Sequence, residues 1–144
     1  MKITFIFLLL PLFFLAGCSS PKYTVSPQNM EVVTANYRVW SEKPSAGSDI
    51  PERGIDLQVI IKNWPENYEP DYIVYNQRKS VSSEITEQSR DTTVIKAQII
   101  QASSVLVETS ETENVSDRLV FTDAEGNKGY LPIENWKPQD KQGD

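Results

Sequence analysis

The chain has no histidine and only one cysteine in 144 residues. The first absence removes the commonest general base and metal ligand. Histidine-based triads, cysteine–histidine pairs and zinc sites are excluded with it. The second excludes an intrachain disulfide. Positive charge is also scarce: 14 Lys and Arg stand against 20 Asp and Glu, a net charge of −6. Nucleic acid needs a basic surface, so it is not expected as a partner. Docking on anionic lipid through overall charge is opposed for the same reason. Long hydrophobic runs are missing after residue 15, which excludes a multispan membrane protein.

What is present begins with that single run. Lys2 supplies a positive start, Ile3 to Leu15 is almost unbroken apolar sequence, and the small residues Ala16 and Gly17 precede Cys18. This order is the anatomy of a secretory signal. The run of about 15 residues is roughly 22 Å long as a helix, short of the ~20 residues a span requires. The alternative is an uncleaved N-terminal anchor helix.

Leu15-Ala16-Gly17-Cys18 resembles the lipobox of bacterial lipoproteins, and the resemblance covers the first 18 residues. It implies a diacylglyceryl group on the Cys18 thiol, cleavage between Gly17 and Cys18, and acylation of the new N-terminus. One acyl chain anchors only marginally, whereas two or three hold firmly. The implied partner is thus the membrane, through lipid on Cys18. Ser19 stands where aspartate retains proteobacterial lipoproteins in the inner membrane, which implies the outer membrane. Ser19-Ser20-Pro21-Lys22 lacks the early acidic residues of surface-exposed Bacteroidetes lipoproteins, which favours the periplasmic face over the cell surface. The competing readings of Cys18 are a reactive thiol and an intermolecular disulfide.

The expected organisation is a signal peptide at 1–17, a lipidated flexible tether at 18–29, one domain at 30–136, and a frayed tail at 137–144. The mature charge is −7, because only Lys2 leaves with the signal. The domain reads as strands. In Met30–Trp40, Val33, Ala35, Tyr37 and Val39 share one face. In Gly54–Trp64, Ile55, Leu57, Val59 and Ile61 do so, opposite Asp56, Gln58 and Lys62. Residues 71–77 form a third strand, and 78–91 a loop or weak edge strand. Thr92–Thr109 alternates through Ile95, Ala97 and Ile99, with a bend at Ala102–Ser104. Ser116–Thr122 and Lys128–Ile133 close as a hairpin around Gly126. Seven or eight short strands and no sustained helical stripe predict an all-β fold, a single antiparallel β-sandwich with immunoglobulin-like topology. The cysteine pair of antibody domains is absent.

Carboxylate, Ser–Lys or tyrosine chemistry is what remains for catalysis. Glu66, Glu69 and Asp71 crowd one loop, and Glu108, Glu111 and Glu113 another. Paired acids held ~5–10 Å apart hydrolyse glycosides, so a small hydrolase of cell-wall glycan is the alternative function. Asp123–Asn127 offers oxygen ligands, but its glycine falls fourth rather than sixth for an EF-hand, so a hairpin is expected and no metal or other cofactor. Trp64, Tyr68, Tyr72 and Tyr75 lie within 12 residues. Amphipathic rings of this kind suit sugar stacking or a protein contact, with core packing as the competing role. Asn114-Val115-Ser116 matches the N-glycosylation acceptor, a match that the resemblance to bacterial lipoproteins implies is chance. Asp91-Thr92-Thr93 resembles the O-glycosylation motif of Bacteroidetes secreted proteins, with Thr92 as acceptor. The expected role is therefore a lipid-anchored cell-envelope lipoprotein that contacts a protein or glycan without catalysis.

Overall fold

The structure, a computed structural model, describes Tyr23, Val25 and residues 29–43, 46–47, 52–100 and 115–139. Cys18 and the acidic residues 108, 111 and 113 lie outside them, as does the bend expected at 102–104. Nine strands follow in order: β1 Glu31–Ser41, β2 Arg53–Lys62, β3 Glu69–Tyr75, β4 Arg78–Lys79, β5 Ser83–Gln88, β6 Thr92–Ile100, β7 Arg118–Thr122, β8 Lys128–Pro132 and β9 Lys137–Pro138. They build a five-stranded sheet, β5-β6-β2-β1-β9, and a four-stranded sheet, β4-β3-β7-β8. All pairings are antiparallel except β1 with β9.

The immunoglobulin arrangement places its first, second, fifth and fourth strands on one sheet and its third, sixth and seventh on the other. Counting the two-residue β4 as an extra strand beside β3, the orders β1-β2-β6-β5 and β3-β7-β8 reproduce it. The expected β-sandwich is therefore present, with its topology now explicit.

Alternation sets the inner faces. Ile55, Leu57, Val59 and Ile61 of β2 are all buried, as are Ile95, Ala97 and Ile99 of β6. They meet Ile73, Leu119, Phe121 and Leu131 from the other sheet. Each side chain buried this completely contributes roughly 1.5–3 kcal/mol. Phe121 is stacked on Tyr68 at 5.2 Å and met edge-on by Trp64 at 5.7 Å. The buried Ser80 takes part in the pairing: its Oγ accepts from the Ile73 amide at 2.9 Å, and its own amide donates to the Ile73 carbonyl.

Turn residues close the hairpins. Asn76 and Gln77, between β3 and β4, both have positive φ, the conformation of the type I′ turn that suits sheet twist. Gly126 has φ +84 in the β7–β8 hairpin, as expected there.

Three expectations are corrected, and one open choice is decided. In β1 a bulge between Val32 and Thr34 re-phases the strand. Val32 packs on the core, while Val33 is 46% exposed and Val39, near the strand end, is 64% exposed. Of the two readings of 78–91, the edge strand is the one present, because β5 pairs with β6 at the sheet edge. The tail does not fray at 137, since β9 pairs with Asn36 and Tyr37 and the Gln139 amide donates to the Tyr37 carbonyl at 2.8 Å. Trp136 holds that end down, meeting Tyr75 edge-on at 5.0 Å. Part of the span expected as a tether, 18–29, lies on the domain. Val25 forms a parallel bridge to Gly129 of β8, its amide donating to the Lys128 carbonyl at 3.2 Å, and Tyr23 packs on Tyr130.

Gly54 is fixed by close approach. A Cβ there would collide with the Trp40 indole and lie 2.8 Å from the Ile99 carbonyl oxygen. Backbone cannot give way as a side-chain tip can, so Gly54→Ala should destabilise the fold by ~1–3 kcal/mol. Urea unfolding checks this, and an unchanged midpoint would mean that Trp40 does not rest on β2.

Candidate functional site

The four aromatics expected to form one surface are not brought together. Trp64 follows β2 and turns inward: it is buried, and its Nε1 donates to the Tyr68 carbonyl at 3.1 Å. Tyr68 stacks on Phe121. Tyr75 joins Tyr37 and Trp136 in a separate cluster. Its pKa is raised by burial first, then by Tyr37 and Asp117 nearby. Tyr72 alternates to the outer side of the four-stranded sheet, where the Lys79 ammonium lies 3.9 Å from its ring centroid. Three of the four thus serve packing. Thr92 opens β6, its hydroxyl 2.9 Å from Ser89 Oγ.

Of the two acidic groups, only Glu66, Glu69 and Asp71 are among the described residues. Glu66 and Glu69 are exposed, and Asp71 is bonded to Lys128 Nζ at 3.1 Å and Thr122 Oγ1 at 2.9 Å. Among the described residues no three potential metal ligands cluster. Asp123 accepts from the amides of Glu125 and Asn127 and from the Asn127 side chain. Burial pushes its carboxyl up, but these hydrogen bonds together outweigh burial and hold it below the ordinary aspartate value. A glycosidase acid needs the opposite shift.

The most ordered polar array lies on the outer face of the five-stranded sheet. Register aligns Arg38 of β1 with Asp56 of β2, and Asp56 with Gln98 of β6. Arg38 Nη2 and Nε donate to Asp56 Oδ2 at 2.6 and 3.2 Å, and Gln98 Nε2 donates to Oδ1 at 2.9 Å. Both carboxylate oxygens are therefore engaged. The next row carries Asn36, Gln58, Lys96 and Glu84. All of these but Asn36 line an open depression of about 530 Å³. On the other side of the Arg38 row, Trp40 lies across Gly54.

Half-exposed ion pairs of this kind stabilise a fold by only ~0–1 kcal/mol. The array does little for stability, yet it holds a guanidinium, a carboxylate and amides in fixed directions beside an indole. Asp56, Gln58, Lys96 and Gln98 alternate with apolar residues in the sequence, but nothing local shows that three strands would align Arg38, Asp56 and Gln98. A second open hollow, of about 540 Å³, lies between the first half of β1 and the link from β8 to β9.

Comparisons of the chain with protein-family models, curated proteins and solved structures returned no match.

Because the folded pKa of Asp123 is depressed, its ionised form stabilises the β7–β8 hairpin above the ordinary aspartate range of about 4. That contribution is lost as pH falls through the lower, folded value. Asp123→Asn should be less stable than the parent at pH 7, with the difference shrinking towards pH 2. Urea midpoints across that range check it, and a gap constant with pH would contradict the assignment.

Proposed function

We propose that this chain is a lipid-anchored lipoprotein of the bacterial cell envelope that binds glycan without catalysis. Its contact face is the outer side of the five-stranded sheet. The carrying observation is the Arg38–Asp56–Gln98 array beside Trp40. Sugars present adjacent hydroxyls that both donate and accept, and apolar ring faces that stack on indole. A guanidinium, a carboxylate and an amide fixed along one row complement the hydroxyls. A protein contact is the weaker reading, because hot spots centre on buried aromatic and apolar anchors. The two rows around Asp56 are polar, and the apolar side chains of this face, Trp40, Ile60, Val94 and Ile100, lie in the rows beside them.

Anchoring rests on Leu15-Ala16-Gly17-Cys18 behind the apolar run. Ser19 supports the outer membrane, facing the periplasm. Cys18→Ala, or globomycin treatment of cells, should leave unprocessed precursor, read by intact mass. Mature, acylated protein from the Cys18→Ala gene would overturn the anchoring.

For the binding face, soluble fragments of cell-wall glycan are titrated into the purified protein by calorimetry. Asp56→Ala and Trp40→Ala should each weaken binding about tenfold or more, the scale of a lost charge-assisted hydrogen bond or stacked ring. Asp56→Ala should change stability by less than ~1 kcal/mol. Undiminished affinity in both variants would move the site elsewhere.

A further inference from the structure

We infer that the outer face of the four-stranded sheet lies against the phospholipid headgroups of the bilayer that holds the anchor, with Lys79, Arg118 and Lys128 meeting their phosphates. The inference rests on acylation of Cys18 and deepens it, because it fixes which way the domain faces.

The first support is the short lead from the anchor. Tyr23 is already on the domain, its ring 5.1 Å from that of Tyr130 in an edge-on contact. The Arg118 guanidinium packs on both rings, 5.1 Å from Tyr23 and 4.9 Å from Tyr130. Val25, two residues on, bridges to Gly129. Four residues, 19–22, separate Cys18 from Tyr23, and the five steps from one to the other span at most ~18 Å however they run. Acyl chains on Cys18 therefore hold the Tyr23 side of the domain within about that distance of the membrane.

The second support is the chemistry of the face. Register places Tyr72, Val120 and Tyr130 in one row across the sheet, and Lys79, Val74, Arg118 and Pro132 in the next. Thr122 and Lys128 form a third row. Tyrosines with apolar bodies and polar tips, interleaved with Lys and Arg, are the side chains that settle at headgroup level. The chain as a whole is acidic, with a net charge of −6, which opposes approach to an anionic surface. This face reverses that sign locally: three cations stand there against Asp71, which is paired with Lys128, and Glu69 at its edge. The array around Asp56 then points away from the bilayer, because it lies on the opposite outer face.

The test is lysine footprinting on the acylated protein. Protein purified from membranes is reconstituted into vesicles of 7:3 phosphatidylethanolamine:phosphatidylglycerol and, separately, of phosphatidylcholine alone. Each is treated briefly with an acetylating ester, and modification is read by mass spectrometry. Intact mass first reports acylation. If Cys18 is unmodified, the anchoring reading has failed, and its thiol is coupled to a maleimide phospholipid so that orientation is still read. Lys79 and Lys128 should react about threefold or more slowly on the anionic vesicles than on phosphatidylcholine, while Lys96 on the opposite face reacts equally on both. Tyr23→Ala, which frees the lead, should erase the difference between the faces. Equal protection of Lys79, Lys128 and Lys96, protection of Lys96 alone, or protection independent of lipid charge would overturn the inference.

Discussion

Phe121 sits wholly buried on the inner face of β7, its ring stacked on Tyr68 and met edge-on by Trp64. Around that ring the two sheets are held by apolar contact, since the single cysteine leaves no disulfide to join them. Small secreted domains often compensate for weak cores with disulfides. Here the inner faces of β2, β6, β3 and β7 carry that burden with Ile, Val and Leu side chains that are almost fully buried. Trp64 and Tyr68 come from the link between β2 and β3, the crossing from one sheet to the other. Their placement on Phe121 ties that crossing to the core. Truncating such a ring typically costs ~3–5 kcal/mol, a large share of a domain's stability.

With the inner faces consumed by packing, chemistry is left to the outer ones, and these differ. The five-stranded sheet presents a hydrogen-bonded row of Arg38, Asp56 and Gln98 beside an indole. The four-stranded sheet presents tyrosines interleaved with lysine and arginine, and it receives the N-terminal lead through Tyr23 and Val25. The proposed account assigns binding to the first and the bilayer to the second. The sandwich then acts as a spacer one domain thick, with its duties on opposite sides. The C-terminal strap, β9 with Trp136, closes the edge of β1 without covering either face.

Much of the fold was legible because strand alternation is a strong local signal. The inner face of β2 was read correctly from Ile55, Leu57, Val59 and Ile61, and the β7–β8 hairpin from Gly126. Misread features depended on distant partners. The bulge in β1 follows from how Val32 meets Ile61, which the alternation of β1 alone does not contain. β9 consists of two exposed residues, and its pairing with β1 is accompanied by the distant contact of Trp136 with Tyr75. The aromatic run from Trp64 to Tyr75 reads as a surface because four large rings lie close in sequence, whereas the end of β2 and the alternation of β3 send Trp64 and Tyr68 together onto Phe121, Tyr75 to Tyr37 and Trp136, and Tyr72 to the outer face. The Asp56 array was invisible for the converse reason: its members lie 18 and 42 positions apart, and only register unites them.

The claim that the two outer faces have separate duties is tested most directly by amide mapping of the acylated protein. Isotope-labelled protein is placed in nanodiscs of phosphatidylethanolamine and phosphatidylglycerol and titrated with cell-wall glycan fragments. The account predicts lipid-broadened amides along β3, β7 and β8, and glycan-shifted amides along β1, β2 and β6. Both sets falling on one sheet would contradict it.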